Sequence, residues 1–388
     1  MPDIAIVAGV RTPFGRAVKG VFRETRPEDL VAPLVEETLR RVPQVRPEDV
    51  EDLVLGCAMP EGEQGLNVAR NVGFLAGLPD ATPALTVNRF CSSGLQAIAL
   101  AAGRMAMGEI DVALAGGVET MSLVPMGGNK TSLHPALVER RPEAFTPMGI
   151  TAERVASRFG VSRRQQDEFA LASHRKAVAA QQAGRFDGEI LPIDAATHDG
   201  QGRRGVVRVT QDEMPRADTS LERLAALAPS FDPTGSVTPG NSSPLTDGAA
   251  LALVMTRAAA AARGIAPLGW FRSFAVVGVA PDVMGIGPVP AIRKLLARTG
   301  RSMEEIDLFE VNEAFAAQAV YCARELAIPL DRLNVNGGAI AIGHPLGATG
   351  ARQVLTVLAE LRRRGGRLGV VSMCIGGGMG AAALVERA

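Results

Sequence analysis

Short apolar runs and longer stretches with helical periodicity alternate through the first part of the chain. Apolar residues that recur every three to four positions indicate an amphipathic helix, whereas short apolar runs bounded by turn residues indicate buried strands. The predicted strands are 3–8, 54–57, 85–88 and 112–115, the last ending before Gly116 and Gly117, and the predicted helices are 27–42 and 93–108. This alternation predicts an α/β fold in which parallel strands are joined by crossover helices.

The pattern changes between residues 119 and 243. Loops and two polar helical stretches, 151–159 and 162–183, replace the strong strand signals, and Ser162 is a suitable N-cap for the second stretch. Turn-forming residues close this region. We therefore expect an insertion that forms a lid or a substrate-binding subdomain.

Strand and helix signals alternate again in the last third of the chain. The predicted strands are 251–255, 270–280, 306–311, 368–374 and 381–386, and the predicted helices are 289–299 and 348–364. A strand, a chemically reactive residue and a helix follow one another in both halves of the chain. This order favours two similar α/β halves.

Composition and charge exclude several classes of function. The 388 residues are 47% hydrophobic with a formal net charge of zero, which argues against nucleic acid as a partner. Four cysteines without CxxC spacing argue against a metal site or a disulfide framework. The N-terminus does not resemble a signal peptide, and no apolar run approaches the ~20 residues of a membrane span. A cytoplasmic protein with free thiols and no membrane partner is expected.

Cys91 stands in a sequence context that is typical of a reactive thiol. It lies between an apolar run and a helix-forming run, in RFCSSGLQ, so it is predicted at a helix N-terminus, where the helix dipole favours the thiolate. His344 in IGHPLG is a candidate base, titrating near its ordinary pKa, and Cys374 in MCIGGG is a second candidate thiol. The three together indicate covalent acyl transfer. The other histidines, His134, His174 and His198, are expected at the surface.

Four ordered motifs resemble those of the thiolase family. They are Cys91-Ser92-Ser93, Asn312-Glu313-Ala314-Phe315, Gly343-His344-Pro345 and Cys374-Ile375-Gly376. The phrases VRTPFG, PMGITAERVA and GNSSPLTDGAA extend the resemblance over the whole chain. It implies two similar α/β halves in a layered α-β-α-β-α core with an inserted loop domain. The implied boundaries are 1–118 with about 249–268 for the first half, 119–248 for the CoA-binding insertion and 269–388 for the second half.

The resemblance also implies a role for each catalytic residue. Cys91 accepts the acyl group, His344 is its base, and Cys374 moves the proton at the α-carbon of the second acyl-CoA. One oxyanion site is implied at His344 with a water held by Asn312, and another at the backbone N–H groups of Cys91 and Gly376. Coenzyme A is then a substrate, with no cofactor and no metal.

Five further residues match positions that contact the acyl-CoA in the family. Ser243 lies on the implied pantetheine loop, Met148, Phe231 and Phe315 match the lining of the tunnel, and Arg216 aligns with an arginine that contacts the cofactor. A long, partly apolar tunnel suits a ligand with an apolar arm and a solvated nucleotide end.

Pro147 bears on the acyl chain length. Short-chain biosynthetic thiolases typically carry histidine at this position, before Met148, so proline favours a degradative 3-ketoacyl-CoA thiolase.

An acetyl-CoA acetyltransferase that forms acetoacetyl-CoA is the alternative. A ketoacyl synthase typically lacks a second cysteine, so Cys374 argues against one. A non-catalytic acyl carrier on the same fold and a redox pair of Cys91 with Cys374 are further alternatives. The family also implies a homodimer or a dimer of dimers, with an interface near 81–87.

Overall fold

The computed structural model describes residues 3–198 and 204–388, and within them ten strands form one mixed sheet, while two more form a separate hairpin. The strands are β1 (Ile4–Arg11), β2 (Gly15–Arg16), β3 (Asp52–Gly56), β4 (Ala84–Val87), β5 (Val112–Thr120), β6 (Ile193–His198), β7 (Arg204–Val209), β8 (Thr246–Thr256), β9 (Gly269–Gly278), β10 (Leu308–Val311), β11 (Leu368–Ile375) and β12 (Met379–Arg387). The hairpin is β6–β7.

The α-helices of the described ranges fall between these strands. They are α1 (Pro27–Arg41), α2 (Val68–Leu75), α3 (Ser93–Ala106), α4 (Pro135–Arg140), α5 (Met148–Phe159), α6 (Arg163–Gln182), α7 (Leu221–Ala225), α8 (Arg257–Ala262), α9 (Pro288–Thr299), α10 (Ala316–Glu325), α11 (Ala339–Ile342) and α12 (Thr349–Arg364). None of them is both long enough and apolar enough to cross a membrane.

The main sheet runs β10-β11-β12-β9-β1-β8-β5-β3-β4, with β2 beside β8. The expected parallel pairing is found between β3 and β4, β3 and β5, and β10 and β11, whereas the other pairs of the main sheet are antiparallel. The antiparallel pairs arise where consecutive strands are joined without a crossover helix, as in β11–β12, or where the chain returns from the insertion into β8.

The two halves of the sheet repeat one pairing scheme. In the first half, β3 is parallel to β5, which is antiparallel to β8, which is antiparallel to β1. In the second half, β10, β11, β12 and β9 follow the same scheme. Among the described residues, the strand ladders of the two halves join where β1 meets β9, over the three pairs that begin with Ile4–Phe271. This repetition makes α3 and α12, which precede β5 and β11, equivalent helices.

The helices form three layers around the two halves of the sheet. Helices α3 and α12 pack against each other between the half-sheets, in one apolar cluster that contains Leu95, Ile98, Val354 and Leu358. Helices α1 and α2 cover the outer face of the first half, and α9 and α10 cover the outer face of the second. Because α3 and α12 are enclosed, their small and apolar residues are buried on several sides rather than along one stripe.

Strand β5 continues through the two glycines at which the sequence predicts its end. A Cβ at Gly116 would lie 2.0 Å from the carbonyl oxygen of Ala250, and one at Gly117 would lie 2.1 Å from that of Gly347. The glycines therefore permit close backbone approach within the strand rather than end it. The strand carries Glu119 at its far end.

Residues 121–245 contribute only the β6–β7 hairpin and helices, with no strand of the main sheet among the described part. Helix α6 begins after Ser162, whose Oγ accepts from the N–H of Gln165, as the sequence predicts. Helix α5 starts three residues earlier than predicted, at Met148. This earlier start places Met148 beside the candidate site.

Candidate active site

Cys91 lies in a tight turn immediately before α3. The turn, Phe90–Ser92, is held by hydrogen bonds from the N–H of Phe90 to Asn88 Oδ1 (2.8 Å) and from Ser93 Oγ to the carbonyl oxygen of Phe90 (2.7 Å). Phe90 has a φ of +42°, a conformation that non-glycine residues seldom adopt and that is frequent at functional sites. The position at a helix start, predicted from the sequence, is confirmed.

The ionisation state of Cys91 differs from the sequence expectation. The residue is 1% exposed, and this burial raises the pKa of its thiol to about 12, although the backbone N–H groups of Gly376 and of Cys91 itself face the sulfur and act in the opposite direction. The loss of hydration outweighs the stabilisation of the thiolate by the helix dipole, because an anion in an enclosed, apolar site loses several kcal/mol of solvation. The free protein therefore holds a thiol here, not the thiolate expected from the helix dipole.

Cys374 lies at the end of β11, in the second half of the fold. It is fully buried, and burial together with the neighbouring Cys91 raises the pKa of its thiol well above the ordinary value. All four cysteines are free thiols. After Ile375 the chain turns through Gly376, Gly377 and Gly378, the last two with φ values of +79° and +85°. The turn places the Gly376 N–H at the sulfur of Cys91.

Gly376 does not require a glycine for packing within the chain itself. A Cβ there would lie 3.7 Å from the ring of Phe90 and 3.9 Å from Met148 Sδ, which are ordinary contact distances. The absence of a side chain instead leaves open the space beside the sulfur of Cys91.

His344 lies on the short loop between α11 and α12. Gly343, at a φ of +107°, turns the chain into this loop, where a side chain would collide with Thr246. The imidazole Nδ1 is 2.6 Å from Thr349 Oγ, whose hydroxyl donates to the carbonyl oxygen of Pro345 (2.9 Å). Since that hydroxyl hydrogen is already used, Nδ1 carries the proton and donates to Thr349. The lone pair is then on Nε2, which accepts from Asn312 Nδ2 at 3.1 Å.

His344 is a neutral base in the free protein. Burial, aided by the positive charge of Arg352, lowers the pKa of its imidazole to about 3, so the expected titration near its ordinary pKa was wrong. Asn312, next to it, is also buried, and its Oδ1 has no hydrogen-bond partner among the described atoms. His344 thus offers a neutral imidazole as a base, and Asn312 beside it offers an Oδ1 that can accept a hydrogen bond.

The parallel pair β10–β11 brings Asn312 and Cys374 to one edge of the sheet. Val311, the last residue of β10, is in register with Ser372, and the N–H of Asn312 donates to the carbonyl oxygen of Ser372 at 2.8 Å. Two residues further along β11 lies Cys374. The carboxyl ends of adjacent parallel strands form a common edge, so residues far apart in sequence meet there.

Apolar side chains from the insertion and from the second half pack beside Cys374. Cys374, Phe315 and Met148 belong to one apolar cluster, and the ring of Phe231 packs edge-on against that of Phe315 at 5.9 Å between centroids. Phe231 rests on the start of α5 because residue 149 is glycine, where a Cβ would lie 2.2 Å from the ring. These residues, chosen from the sequence, therefore lie together.

A cavity of about 480 Å³ is lined mostly by residues 174–244, with Arg16 from the first half and Ile340 from the second. Arg216 lines it, together with Arg16 and Arg223. Ser243 is half-buried and donates its N–H to the carbonyl oxygen of Ala314 (3.0 Å), while its neighbour Ser242 lines the cavity.

His174 also lines this cavity, although the sequence indicates a surface residue. It is 6% exposed, its Nδ1 accepts from the N–H of Arg216 at 3.3 Å, and burial lowers the pKa of its imidazole to about 4. Its place on α6 was predictable, since residues that share a face with it, such as Leu171 and Ala170, are apolar. That spacing indicates the buried face of the helix.

The comparisons with known proteins agree over the whole chain. Residues 4–258 match the family model "Thiolase, N-terminal domain" and residues 265–387 match "Thiolase, C-terminal domain". A 3-ketoacyl-CoA thiolase of Bacillus subtilis is 51% identical over 390 residues, covering 100% of both chains. The peroxisomal 3-ketoacyl-CoA thiolase A of Mus musculus is 50% identical, covering 99% of this chain and 91% of that one.

A solved structure gives the same result for the fold. The Bacillus anthracis acetyl-CoA acetyltransferase superposes with a TM-score of 0.92 at 39% identity, covering 100% of this chain and 99% of the other. The repeated pairing scheme, the helical layer between the half-sheets and these matches establish that the chain belongs to the thiolase family.

Proposed function

We propose that the protein is an acyltransferase that cleaves 3-ketoacyl-CoA with CoA, giving acetyl-CoA and a shortened acyl-CoA through an acyl group on Cys91. The observation that supports this most is the setting of the Cys91 sulfur, which faces the Gly376 N–H and the neighbouring Cys374 thiol beside the sheet edge that carries Asn312. Two thiols with an adjacent neutral imidazole supply a nucleophile, a proton donor and a base.

In the first half-reaction the Cys91 thiol loses its proton to His344 Nε2 as the sulfur attacks the 3-keto carbon. The bond between C2 and C3 then breaks, and its electron pair takes a proton from the Cys374 thiol, which releases acetyl-CoA. In the second half-reaction the Cys374 thiolate takes the proton of the incoming CoA thiol. The CoA sulfur attacks the acyl group, and Cys91 recovers its proton from His344.

Each half-reaction forms an oxyanion that needs donors already in place. The N–H groups of Cys91 and Gly376 serve one, because they already point at the position of the reacting sulfur. His344 Nε2, once protonated, and a water on Asn312 serve the other. Removing one donor of this kind costs about 10²–10³ in turnover in well-studied acyl transfer.

The cavity with Arg16, Arg216 and Arg223 on its wall, beside Glu213 and Asp218, is the proposed site of the nucleotide end of CoA. Arg216 and Arg223 approach it from the insertion, and Arg16 approaches it from β2. We expect Arg216→Ala to raise KM for CoA by about tenfold, corresponding to one exposed charge-assisted contact, while kcat stays within twofold. Steady-state kinetics with varied CoA test this, with Arg208→Ala on the hairpin as the matched control. A fall in kcat at unchanged KM would contradict this placement.

The preferred substrate is proposed to be longer than acetoacetyl-CoA. Pro147 precedes α5 where short-chain members carry histidine, and Met148, Phe315 and Phe231 form an apolar wall next to Cys374. Each additional buried CH₂ contributes about 0.8 kcal/mol, or close to fourfold in kcat/KM until the wall is filled.

We therefore expect kcat/KM to rise at least tenfold between four-carbon and eight-carbon 3-ketoacyl-CoA, measured by CoA-dependent cleavage. Pro147→His should reduce this ratio. Activity confined to acetoacetyl-CoA would favour the alternative, an acetyl-CoA acetyltransferase such as the structural neighbour is named.

A homodimer, with a dimer of dimers as the larger possibility, is also part of the proposal. Strand β4 is one of the two outer strands of the sheet in the described residues, and Leu85 on it and Phe74 on α2 are 44% and 52% exposed. An unpaired edge beside exposed apolar side chains supports pairing with a second copy. A cytoplasmic location stays a prediction, since the mouse relative is named as peroxisomal.

A further inference from the structure

Glu119 is a buried carboxylate that has no place in the proposed chemistry. It is the penultimate residue of β5 and is fully buried. An ionised carboxylate in such a place is costly unless donors surround it, so its retention needs a structural or chemical reason.

Five donors from different parts of the chain converge on this carboxylate. Oε2 accepts from the N–H of Ala58 and from that of Gly347, both at 2.8 Å. Oε1 accepts from the N–H of Met59 at 3.1 Å and from Gln64 Nε2 at 3.0 Å, and the Cys57 thiol lies 3.7 Å away. All five partners are donors, so the carboxyl group holds no proton of its own to donate. In the described ranges no arginine, lysine or histidine forms an ion pair with it.

One of these donors belongs to the loop that carries His344. Gly347 is three residues beyond His344, in the other half of the fold from Glu119. Its backbone is wedged between the two halves: a Cβ on Gly347 would lie 2.2 Å from the carbonyl oxygen of Val118, and a Cβ on Gly94 would lie 2.4 Å from that of Gly347. Glu119 thus anchors the His344 loop at Gly347, whose backbone packs against Gly94 at the start of α3.

The remaining donors belong to the segment that packs on Cys91 from the other side. Ala58 and Cys91 share one small apolar cluster with Leu346 and Met121. Glu119 therefore holds two segments that enclose Cys91, one from each half of the molecule.

We propose that Glu119 is a positioning residue for the acyl transfer. It fixes the His344 loop against the segment of Ala58 and Met59, which packs on Cys91, and its negative charge disfavours a standing thiolate in the free enzyme. This inference rests on the proposed function.

The groups that face Cys91 come from several elements. Glu119 comes from β5 and Cys374 from β11. Burial raises the pKa of the Glu119 carboxyl, while the N–H groups that bond to it act in the opposite direction and stabilise the carboxylate. Its charge acts in the same direction as burial, which raises the pKa of the Cys91 thiol. A thiol that stays protonated until substrate arrives is protected from oxidation and alkylation.

The test separates the effect of the Glu119 charge from the effect of its side-chain length. Glu119→Gln removes the charge at equal size, whereas Glu119→Asp keeps the charge but is too short to span both sets of donors. The first readout is the rate of Cys91 alkylation by iodoacetamide between pH 7.5 and 10, followed by peptide mass spectrometry, which needs no substrate. The second is kcat for cleavage of 3-ketoacyl-CoA.

We expect Glu119→Gln to speed the alkylation of Cys91 roughly threefold. A pKa about one unit lower gives tenfold more thiolate, while the intrinsic nucleophilicity falls about threefold. Glu119→Asp should leave the alkylation rate unchanged. Both variants should lower kcat on the order of 10²-fold, since small misplacements of reacting groups have effects of this size.

Glu189→Gln is the matched control, because Glu189 is also a buried carboxylate but bonds to Arg11 and Thr356 instead. It should lower the melting temperature without changing either readout.

Equal alkylation rates in the wild type and Glu119→Gln, or equally fast alkylation in Glu119→Asp and Glu119→Gln, would overturn the role of the charge. Unchanged kcat in both variants would overturn positioning. Wild-type protein that cleaves no 3-ketoacyl-CoA would refute the proposed function instead, while the alkylation comparison would still test the charge.

Discussion

Cys91→Ala is expected to reduce the cleavage of 3-ketoacyl-CoA by at least about 10⁴-fold, because the acyl group then has no covalent acceptor. The turn that holds the residue is fixed by Asn88 and Ser93, so loss of one sulfur should leave the fold intact. The measurement is twofold: the cleavage rate, and the mass of the intact protein after incubation with acetyl-CoA, which should gain one acetyl group only in the wild type.

Cys374→Ala is the informative partner of this variant. It keeps the nucleophile, His344 and the Gly376 N–H, so Cys91 should still take an acetyl group from acetyl-CoA. The complete cleavage should fall by about 10²–10⁴, because no group remains to exchange the proton at C2. Cys322→Ala is the control: that thiol lies in the outer apolar cluster and bonds to the carbonyl oxygen of Gly285 (3.5 Å), so its loss should affect stability alone.

The outcomes distinguish the alternatives for function. An intact protein that binds acyl-CoA without forming an acyl-enzyme would indicate the non-catalytic carrier. Normal cleavage by Cys91→Ala would refute the acyl-Cys91 intermediate. Normal cleavage by Cys374→Ala would leave the nucleophile in place and assign the proton transfer to another group.

The sequence predicts the elements of this fold better than their arrangement. Local periodicity and caps are properties of neighbouring residues, so α1, α6 and α12 begin and end within two residues of the predicted positions. Strand direction depends on the route of the chain between strands. The antiparallel pairing of β5 with β8 follows from a long excursion through the insertion, which no local pattern reveals.

In the candidate site, too, local sequence indicates the residues but not the properties that depend on distant parts of the chain. Motifs indicate Cys91, His344 and Cys374 as candidates, because each lies near the end of a strand or before a helix and has a recognisable neighbour. The ionisation of Cys91 and His344 was not predictable, since burial is set by residues from both halves. Glu119 was overlooked for a related reason. A carboxylate at a strand end looks like a surface residue until Gly347, from the other half, covers it.

The repeated pairing scheme accounts for the geometry of the site. Helices α3 and α12 are equivalent, and Cys91 and His344 lie just before their first turns. Since the two helices pack against each other in the central layer, their N-terminal ends meet: Gly347 packs on Gly94, and Leu346 lies in one apolar cluster with Cys91. The ends of β5 and β11 are equivalent as well, and they carry Glu119 and Cys374.

His344→Ala is expected to lower kcat by about 10³-fold, the usual range for loss of a positioned general base. The neutral imidazole is the active form, and it is present above its pKa and lost as the pH falls through that value. Because burial lowers this pKa to about 3, kcat/KM of the wild type should show no loss assignable to His344 between pH 5 and 8. An acid limb near pH 6.5 that disappears with the residue would contradict the buried, neutral state.

Thr349 gives this prediction a graded test, because its hydroxyl determines which imidazole nitrogen carries the proton. Thr349→Val leaves the Nδ1–H without an acceptor, so the ring loses its preference for the tautomer with a free Nε2. We expect kcat to fall about 10- to 10²-fold with KM unchanged, and Thr349→Ser, which retains the acceptor, to restore most of it. His174→Ala should instead act on the KM for CoA, since His174 lies in the cavity with Arg216. Equal kcat in the valine and serine variants would show that packing at position 349, rather than its hydroxyl, orients His344.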